Sequence, residues 1–275
     1  MSVKLNDKVI FITGASRGIG REIALRCAQE GAKIVIAAKT AEPHPSLEGT
    51  IYSVAKEIEQ VGGQALPLVV DVRDETAVVR AVDEAVAKFG AIDILVNNAS
   101  AINLGSTLDI SMKRYDLIFS VNVRATYMCS KYCIPHLKKS SNPHILTLSP
   151  PLNMQAKWFK DHLAYTMSKY GMSMCTLGMA EEFRKEGIAV NSLWPKTLIA
   201  TAAIAVNFPK ELYEASRKPS IVADAAYAVL TSKSRDVTGQ FFIDEDLLRE
   251  RGVRDFDCYA LHPGAVLFPD LYVEG

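Results

Sequence analysis

Tyr165 and Lys169 lie four residues apart in a stretch of helical composition, so their side chains are expected on one helix face. A lysine ammonium beside a tyrosine phenol favours the phenolate and lowers a pKa that normally lies near ~10. Such a tyrosine can give a proton to a carbonyl oxygen, or take one from an alcohol, while a hydride moves at carbon. A Tyr-x-x-x-Lys pair alone is common in helices and arises by chance more often than from chemistry.

A glycine-rich segment near the N-terminus has the spacing of a nucleotide-binding turn. Residues 13–20, Thr-Gly-Ala-Ser-Arg-Gly-Ile-Gly, follow an apolar run of strand length and lead directly into a helical pattern. The glycines allow a tight turn close to a pyrophosphate, which then meets the free N–H groups at the helix start. We therefore predict cofactor contacts from six residues in this segment: Gly14, Ser16, Arg17, Gly18, Ile19 and Gly20.

The end of the second predicted strand bears on the choice of cofactor. A carboxylate there would bind the ribose 2′-hydroxyl of NAD and repel a 2′-phosphate. The sequence is Ala37-Ala38-Lys39, without an acid, and Arg17 lies in the nearby glycine loop. Two cations and no carboxylate favour NADP(H), although NAD(H) stays possible. Either cation alone is also compatible with a solvated surface charge.

These residues need a scaffold, and strand-length runs alternate with helical patterns along the chain. The runs are continuously apolar, as expected when helices cover both faces of a parallel sheet. Strands are predicted at 9–13, 33–38, 65–70, 92–96, 144–148, 188–193 and 240–243, and helices at 18–30, 51–61, 74–89, 111–139, 162–185 and 209–230. The expected fold is α/β: a single-domain, Rossmann-type, doubly wound parallel sheet of about seven strands with helices on both faces.

Composition excludes several classes of function. No linker or repeat divides residues 1–275, which are predicted to form one dinucleotide-binding domain. Lys+Arg and Asp+Glu are both 31, a balance that disfavours nucleic acid or a polybasic membrane surface as partner. No apolar run reaches the ~18 residues of a membrane span, and no signal peptide is recognisable. Five scattered cysteines predict reduced thiols and no metal site, and hence a cytoplasmic protein.

Ordered motifs over about residues 5–243 resemble the short-chain dehydrogenase/reductase family. The glycine loop is similar to the family's nucleotide loop. Asp71-Val72 is similar to the pair that meets the adenine, and residues 97–99, Asn-Asn-Ala, are similar to the family's post-strand motif. Four positions match the family's catalytic residues in order: Asn122, Ser149, Tyr165 and Lys169.

The resemblance implies a role for each of these residues. Tyr165 would be the general acid/base, and Ser149 would hold the substrate oxygen against it. Lys169 would bind the nicotinamide ribose and tune Tyr165, and Asn122 would support a water chain to solvent. The implied cofactor contacts outside the glycine loop are Lys39, Asp71, Val72, Asn98, Ala99, Tyr165, Lys169, Pro195 and Thr197. Ser149 is also compatible with a strand-end cap, and Asn122 with a buried partner for the backbone.

Residues 39–45, 148–151 and 194–197 resemble the hydroxysteroid dehydrogenase-like protein 2 branch of the family. In animal members of that branch, a sterol-carrier domain follows the reductase domain. This chain ends at Gly275 without one, so peroxisomal routing and lipid carriage are not expected to transfer.

Lys196 replaces the family's usual glycine, and it either binds an acidic substrate group or points to solvent. Thr201 resembles the family residue that usually reaches the cofactor, but it lies one position later in the sequence than that residue normally does.

The resemblance also assigns the substrate side and the assembly. The segment before Tyr165 carries Leu152, Met154, Trp158 and Phe159, which predict an apolar, lipid-like or steroid-like substrate or else simply pack the fold. Residues 197–220, with Phe208 and Tyr213, are expected to form a substrate lid. Residues 244–275 are expected to form a C-terminal extension docked on this subunit or on a neighbour. The helix that bears Tyr165 implies a homodimer or homotetramer.

The sequence therefore predicts an NADP(H)-dependent oxidoreductase that interconverts a carbonyl and a secondary alcohol. One alternative is a non-enzymatic NADP-binding regulatory protein on the same fold, although such proteins typically lose the tyrosine or the lysine. A second is an enoyl reductase, which would space the two residues more widely and would not need Ser149. A scaffold protein would need none of these residues.

Overall fold

A sheet of seven parallel strands forms the centre of the protein. The computed structural model describes residues 3–45 and 47–274. Its strands are β1 (Val9–Thr13), β2 (Lys33–Ala38), β3 (Gln64–Val69), β4 (Ile94–Asn97), β5 (His144–Leu148), β6 (Ala189–Trp194) and β7 (Phe241–Ile243). The strands β1, β4, β5 and β6 are buried along their whole length, because helices cover both faces of the sheet.

The strand order decides where a ligand can enter. Across the sheet the order is β3-β2-β1-β4-β5-β6-β7, and all pairings are parallel. The direction of winding reverses between β1 and β4, so the loops after Thr13 and Asn97 separate and leave a crevice at the carboxyl ends of the strands. The predicted Rossmann-type, doubly wound fold is confirmed.

Helices bury the two faces of the sheet. They are α1 (Gly18–Ala28), α2 (Ile51–Gln60), α3 (Glu75–Phe89), α4 (Met112–Phe119), α5 (Ala125–Leu137), α6 (Leu163–Glu182), α7 (Ala202–Asn207), α8 (Lys210–Glu214), α9 (Ser220–Leu230) and α10 (Asp244–Glu250). Ile10 and Ile12 of β1 belong to the core with α1, α2 and α9, and Val9 and Phe11 to the core with α3 and α5. Successive strand side chains point to opposite faces, which explains this division. In the described part of the chain, no helix combines the length and the apolar composition that a bilayer crossing requires.

Two predicted helices are interrupted in the structure. The stretch predicted at 111–139 contains α4, a π-helical turn at Ser120–Arg124, and α5. Asn122 is the buried residue of this turn, and single π turns of this kind often mark functional sites. The stretch predicted at 209–230 is divided into α8 and α9, with Pro219 at the start of α9, where its missing N–H costs no helical hydrogen bond.

The C-terminal extension packs on its own chain after α10. It returns along the end of β6, where Leu198 N–H donates to Phe268 O at 3.1 Å. The indole Nε1 of Trp194 donates to Leu271 O at 2.8 Å. Tyr272 is almost fully buried. This segment therefore reaches the carboxyl ends of the strands, where the predicted catalytic residues lie.

Candidate active site

The glycine loop after β1 is closed against the end of β4. The Asn98 side-chain Nδ2 donates to Thr13 O at 2.9 Å and to Gly14 O at 3.0 Å. A Cβ on Gly20 would lie 2.4 Å from that Nδ2, and a Cβ on Gly14 would lie 2.9 Å from Ala99 Cα. Gly14 also has a φ of 68°, which favours glycine. The two loops can approach this closely because both positions lack a side chain.

The first turn of α1 is left open toward the crevice. Arg17 precedes the helix with an extended backbone, and no side-chain cap covers the first N–H groups. Such a helix start attracts anions through its N–H groups and its dipole. The Arg17 side chain itself donates to Glu48 O at 3.0 Å and to Gly49 O at 2.8 Å, which ties the segment before α2 to the loop.

A cleft of about 530 Å³, the outer cleft, opens at this point. Ten of the predicted cofactor residues line it: Gly14, Ser16, Arg17, Gly18, Ile19, Lys39, Asp71, Val72, Asn98 and Ala99. Gly20 lies behind the loop instead. Arg73 also lines the cleft, and its Nε donates to Asp71 Oδ1 at 2.9 Å. This arginine holds the pKa of the Asp71 carboxyl below its usual range.

The charged side chains that line the outer cleft fit a nicotinamide dinucleotide. Its lining contains three cations, Arg17, Lys39 and Arg73, and one carboxylate, Asp71, which is paired with Arg73. The end of β2 carries no acid, as the sequence indicates. The crowded glycines leave room for a backbone-bound pyrophosphate but not for further side chains.

A smaller space of about 160 Å³, the inner cavity, adjoins the outer cleft. The two share Ile19, Asn98, Ser100, Thr201 and Ala203. The remaining lining residues of the inner cavity are Ile102, Leu148, Tyr165, Lys169, Trp194, Pro195, Ile199, Ile204, Phe208, Asp270 and Leu271. It is therefore a mainly apolar space that holds a tyrosine, a lysine and an aspartate.

Tyr165 and Lys169 reach this cavity from α6 and are both buried. The Lys169 Nζ donates to Leu148 O at 3.0 Å and lies 5.1 Å from the centre of the Trp194 ring. Burial lowers the pKa of Lys169 to about 7, and the charge of Asp270 opposes that shift. Burial also raises the pKa of the Tyr165 phenol well above its usual value, with smaller contributions from Tyr272 and Asp270.

This electrostatic balance differs from the sequence expectation. The spacing of Tyr165 and Lys169 predicts that the ammonium lowers the phenol's pKa, whereas burial raises it in the structure. The physical reason is desolvation: a low-dielectric site disfavours the charged form of each group, so the phenol stays protonated and the lysine loses its proton more easily.

Asn122 and Ser149 are fully buried and line neither space. Asn122 Oδ1 accepts from Ala101 N–H at 2.8 Å, and its Nδ2 donates to Ala101 O at 3.0 Å and to Ser168 Oγ at 2.9 Å. It thus ties the loop after β4 to α6. The Ser149 hydroxyl lies 2.9 Å from Ser192 Oγ on the neighbouring strand. The geometry therefore does not favour the role of substrate holder that the resemblance implies for Ser149.

A family model described as short chain dehydrogenase matches residues 8–211. The chain belongs to the short-chain dehydrogenase family. Over 272 residues it is 61% identical to hydroxysteroid dehydrogenase-like protein 2 of Danio rerio, which covers 99% of this chain and 65% of that protein. The chain thus spans slightly less than two thirds of this relative. The predicted resemblance to both the family and this branch is confirmed.

Solved structures place the fold within the same family. A short chain dehydrogenase of Mycobacterium thermoresistibile is 53% identical, with a TM-score of 0.93 over 98% of this chain and 96% of that one. A metagenomic short-chain oxidoreductase in complex with NADP is 25% identical, with a TM-score of 0.73 over 87% and 97%. A short chain dehydrogenase of Mycobacterium paratuberculosis bound to NAD is 26% identical, with a TM-score of 0.73 over 90% and 99%. Family members therefore bind either nicotinamide cofactor.

Around β6, this short-chain dehydrogenase differs in detail from the sequence expectations. Pro195 lines the inner cavity, but Thr197 lines neither space, and Thr201 lines both. Lys196 neither approaches the site nor points freely to solvent, because its Nζ pairs with Asp246 at 2.7 Å. Thr201 is thus the threonine that the structure brings to both spaces.

The residues expected to contact substrate are distributed differently as well. Leu152, Trp158 and Phe159 pack into an aromatic cluster with the C-terminal extension and line neither space. Met154 is 70% exposed. Phe208 alone of the expected residues lines the inner cavity. The segment before Tyr165 packs the fold here because the extension covers it.

Sequence reasoning missed two groups of cavity residues. Ile102, Ile199 and Ile204 form apolar walls; Ile199 and Ile204 lie within the predicted lid, 197–220, but were not singled out, and Ile102 lies outside it. Asp270 belongs to the extension at residues 244–275, which was expected to dock on a subunit but not to line the cavity. The local sequence around Asp270 gives no signal that this residue lines a cavity with the distant helix α6.

Proposed function

We propose that this short-chain dehydrogenase is an NADP(H)-dependent oxidoreductase that interconverts a carbonyl and a secondary alcohol on an apolar substrate. One observation carries the proposal: Tyr165 and Lys169 line an apolar cavity that adjoins a cationic, glycine-walled cleft. The bound nicotinamide would supply or accept the hydride at the substrate carbon. The chain's own residues would bind and orient the cofactor and the substrate, and they would transfer the proton.

Cofactor binding is assigned to the residues of the outer cleft. The open turn at Gly18 would bind the pyrophosphate through main-chain N–H groups. Arg17 and Lys39 would bind the 2′-phosphate, and Asp71 and Val72 would border the adenine. Asn98 and Thr201 would face the nicotinamide half, since they line both spaces, together with Ala99 of the outer cleft and Pro195 of the inner cavity. Thr197 would not contact the cofactor; it pairs with Pro269 and so holds the C-terminal extension in place.

Proton transfer is assigned to Tyr165. A phenol whose pKa is raised by burial is fully protonated at neutral pH, so it is suited to donate to a carbonyl oxygen during reduction. Lys169 would bind the nicotinamide ribose, and its ammonium would stabilise the phenolate that the transfer leaves behind. Asn122 would act as a positioning residue, because its amide holds Ala101 and Ser168 beside the site.

The inner cavity suits a neutral, apolar substrate. Its walls include Ile102, Leu148, Trp194, Ile199 and Phe208. Burying such side chains against a hydrocarbon skeleton is favourable by about 25 cal/mol per Å² of apolar surface. A lipid-like or steroid-like ketone or alcohol is therefore the proposed substrate class.

Assembly is proposed on a separate observation. The outer side of α6 exposes Met167, Met174 and Leu177. An exposed group of apolar side chains of this kind suits contact with a second protein chain. We propose a homodimer or homotetramer, in the cytoplasm, and light scattering would test the oligomeric state.

The decisive experiment measures NADPH oxidation with cyclohexanone, decan-2-one and androstenedione as probe ketones. We expect turnover of at least one probe, and Tyr165→Phe should lower kcat/KM by about 100-fold or more, since it removes the proton donor. Tyr170→Phe is the matched control, because its hydroxyl donates to Asn153 O outside the cavity. Equal activity of wild type and Tyr165→Phe would refute the proposal. NADP binding without turnover of any probe would favour a regulatory protein.

A further inference from the structure

The two ends of the predicted lid are joined to each other by main-chain hydrogen bonds. Arg217 N–H donates to Leu198 O at 2.9 Å, and Ala200 N–H donates to Arg217 O at 2.8 Å. The helices α7 and α8 lie between these two ends. The lid therefore enters and leaves the fold at one place, formed by residues 198–200 and 216–218, which we call the lid base.

The C-terminal extension pairs with the lid base from another side. Leu261 N–H donates to Ser216 O at 3.0 Å, and Lys218 N–H donates to Tyr259 O at 2.7 Å. The main chain of Arg217 thus lies between the start of the lid and the extension, and it forms a β-bridge with each. This pairing fixes the main chain from which the Arg217 side chain projects.

A cluster of four charged side chains lies next to the lid base. Arg217 Nη1 lies 2.5 Å from Glu245 Oε2, and the two side chains are only 7% and 8% exposed. Glu245 lies in the first turn of α10 and also pairs with Lys196 at 3.3 Å and with Arg249 at 2.9 Å. The guanidinium groups of Arg217 and Arg249 both lie over the ring of Phe256, at 5.6 and 4.5 Å from its centre. One carboxylate therefore connects the lid base, the segment after β6 and α10.

Glu245 carries its charge throughout the pH range of an activity assay. Burial raises the pKa of its carboxyl, but the contacts with Arg217, Arg249 and Lys196 outweigh burial and lower the pKa to about 2. Removing one partner of such a buried pair leaves the other as an uncompensated charge, whereas the intact pair adds little to stability compared with apolar packing. A pair of this kind is therefore better suited to fixing one arrangement of the segments it joins than to stabilising the fold.

The lid base is followed directly by the residues that cover the site. Thr201 and Ala203 line both the outer cleft and the inner cavity, and Ile204 and Phe208 line the inner cavity. Thr201 also reaches the glycine loop, because a Cβ on Gly18 would lie 3.5 Å from its Cγ2, an ordinary contact distance. The position of the lid base therefore decides how closely α7 approaches the glycine loop.

We propose that Arg217 and Glu245 are positioning residues of the proposed active site, and that their ion pair holds the lid base where α7 closes over the cofactor and the substrate. The inference rests on the proposed function and adds the two residues that place its lid. Neither residue lines the outer cleft or the inner cavity, so both act through lid residues such as Thr201 and Phe208.

This role separates binding from catalysis. Without the ion pair, the closed lid is less populated in the free protein, and the apparent affinity for ligands falls in proportion to the closed fraction. Saturating NADPH and ketone restore the closed lid, and Tyr165 then transfers its proton as before. The KM for the ketone and the Kd for NADPH should therefore rise, while kcat stays nearly constant.

The first test compares Glu245→Gln with a matched control, Asp246→Asn. Both acids lie in the first turn of α10 and pair with Lys196, but Asp246 is exposed and, among the described residues, forms no ion pair with Arg217. We expect Glu245→Gln to raise both the KM for decan-2-one and the Kd for NADPH by about tenfold, with kcat changed by less than about twofold. Asp246→Asn should change each of the three quantities by less than about twofold, because an exposed ion pair contributes little.

A double-variant cycle tests whether the two residues act as a unit. Arg217→Gln should raise KM and Kd about as much as Glu245→Gln does, and the variant with both changes should lose no more than either single variant. Glu245→Asp keeps the charge on a shorter side chain and should recover part of the affinity. A double variant that loses the product of the two single effects, or a Glu245→Gln loss confined to kcat, would overturn the proposal.

Limited proteolysis tests the lid without turnover. The Lys210 side chain, in α8, is 82% exposed, and Lys185 is exposed outside the lid. We expect trypsin to cleave after Lys210 about tenfold faster in Glu245→Gln than in wild type, with cleavage after Lys185 unchanged and saturating NADPH slowing the cleavage after Lys210. Equal acceleration at both lysines would show general instability instead of lid opening, and the proposal would fail. By contrast, full activity of Tyr165→Phe would refute the proposed function and leave a selective cleavage after Lys210 standing.

Discussion

The Lys169 ammonium group donates to the main-chain oxygen of Leu148 at 3.0 Å, in a site where the lysine is only 3% exposed. One carbonyl dipole does not replace the hydration that a full charge loses on burial. The pKa of Lys169 therefore falls to about 7, within the range where enzymes work. Its protonation state is set by the fold as much as by any neighbouring charge.

This burial predicts a pH-dependent contribution to stability. Lys169 has a folded pKa of about 7, below its unfolded value of 10.5, so the unfolded chain binds more protons between these values. The contribution of Lys169 to the free energy of unfolding must therefore rise with pH between these two pKa values. We expect Lys169→Met to be more stable than wild type at pH 7, with the advantage shrinking by up to about 2 kcal/mol by pH 9. Urea denaturation at both pH values measures the difference.

The comparison isolates this lysine because the other ionisable groups are common to both proteins. Lys185→Met is the control, since Lys185 is exposed on the surface. Its free energy of unfolding should follow the wild type at both pH values. A constant difference between Lys169→Met and wild type would show that the lysine is charged in the folded protein at pH 7.

The crowding at Gly20 predicts that a side chain at this position weakens both the stability of the protein and its binding of NADPH. A Cβ there would lie 2.4 Å from Asn98 Nδ2 and 2.8 Å from Gly14 O, so the loop that walls the cofactor cleft has to move. We expect Gly20→Ala to lose about 1–3 kcal/mol of stability and to bind NADPH at least about tenfold more weakly. NADPH fluorescence titration and urea denaturation measure the two quantities.

Gly178→Ala serves as the control for Gly20→Ala. Gly178 also lies in a helix, and a Cβ there would meet nothing within 4 Å. Alanine should stabilise this helix by up to about 1 kcal/mol and leave NADPH affinity unchanged. Equal NADPH affinity in both variants would show that the loop tolerates the movement.

The sequence predicted the parts of the site that depend on local pattern. The glycine loop and the Tyr165–Lys169 spacing are short-range features, and the structure places them at the same crevice. The apolar runs identified all seven strands. Strands such as β1 and β5 are buried on both faces and leave a continuous apolar signal, and the partly exposed β3 and β7 still keep mostly apolar residues. These predictions required no knowledge of how distant segments meet.

Other features depend on distant contacts and could not be predicted. The direction of the Ser149 hydroxyl is set by Ser192, 43 residues away on the neighbouring strand. The pKa shifts of Tyr165 and Lys169 follow from burial, which the spacing of the two residues does not reveal. Asp270 reaches the cavity through a turn whose position depends on aromatic packing around Tyr272.

The cation at the end of β2 predicts the cofactor preference. Lys39 is exposed at the edge of the outer cleft, and no carboxylate stands beside it on β2. We expect Lys39→Ala to weaken NADPH binding about tenfold, because a charge-assisted contact to the 2′-phosphate is lost, and to leave NADH binding nearly unchanged. Lys88→Ala, at an exposed lysine outside the cleft, should change neither affinity. Equal weakening for both cofactors would refute the assignment of Lys39 to the phosphate.

The Ser149 geometry predicts a small catalytic effect from a residue that the family pattern marks as essential. Ser192 Oγ donates to Thr176 Oγ1 at 2.9 Å, so the Ser149 hydroxyl is left to donate to Ser192. Ser149→Ala should cost about 1 kcal/mol of stability through that lost bond and should lower kcat/KM by less than about tenfold. Tyr165→Phe, assayed with the same ketone, should lose about 100-fold or more. If the two variants lose equal activity, the Ser149 hydroxyl must turn from Ser192 into the cavity when substrate binds.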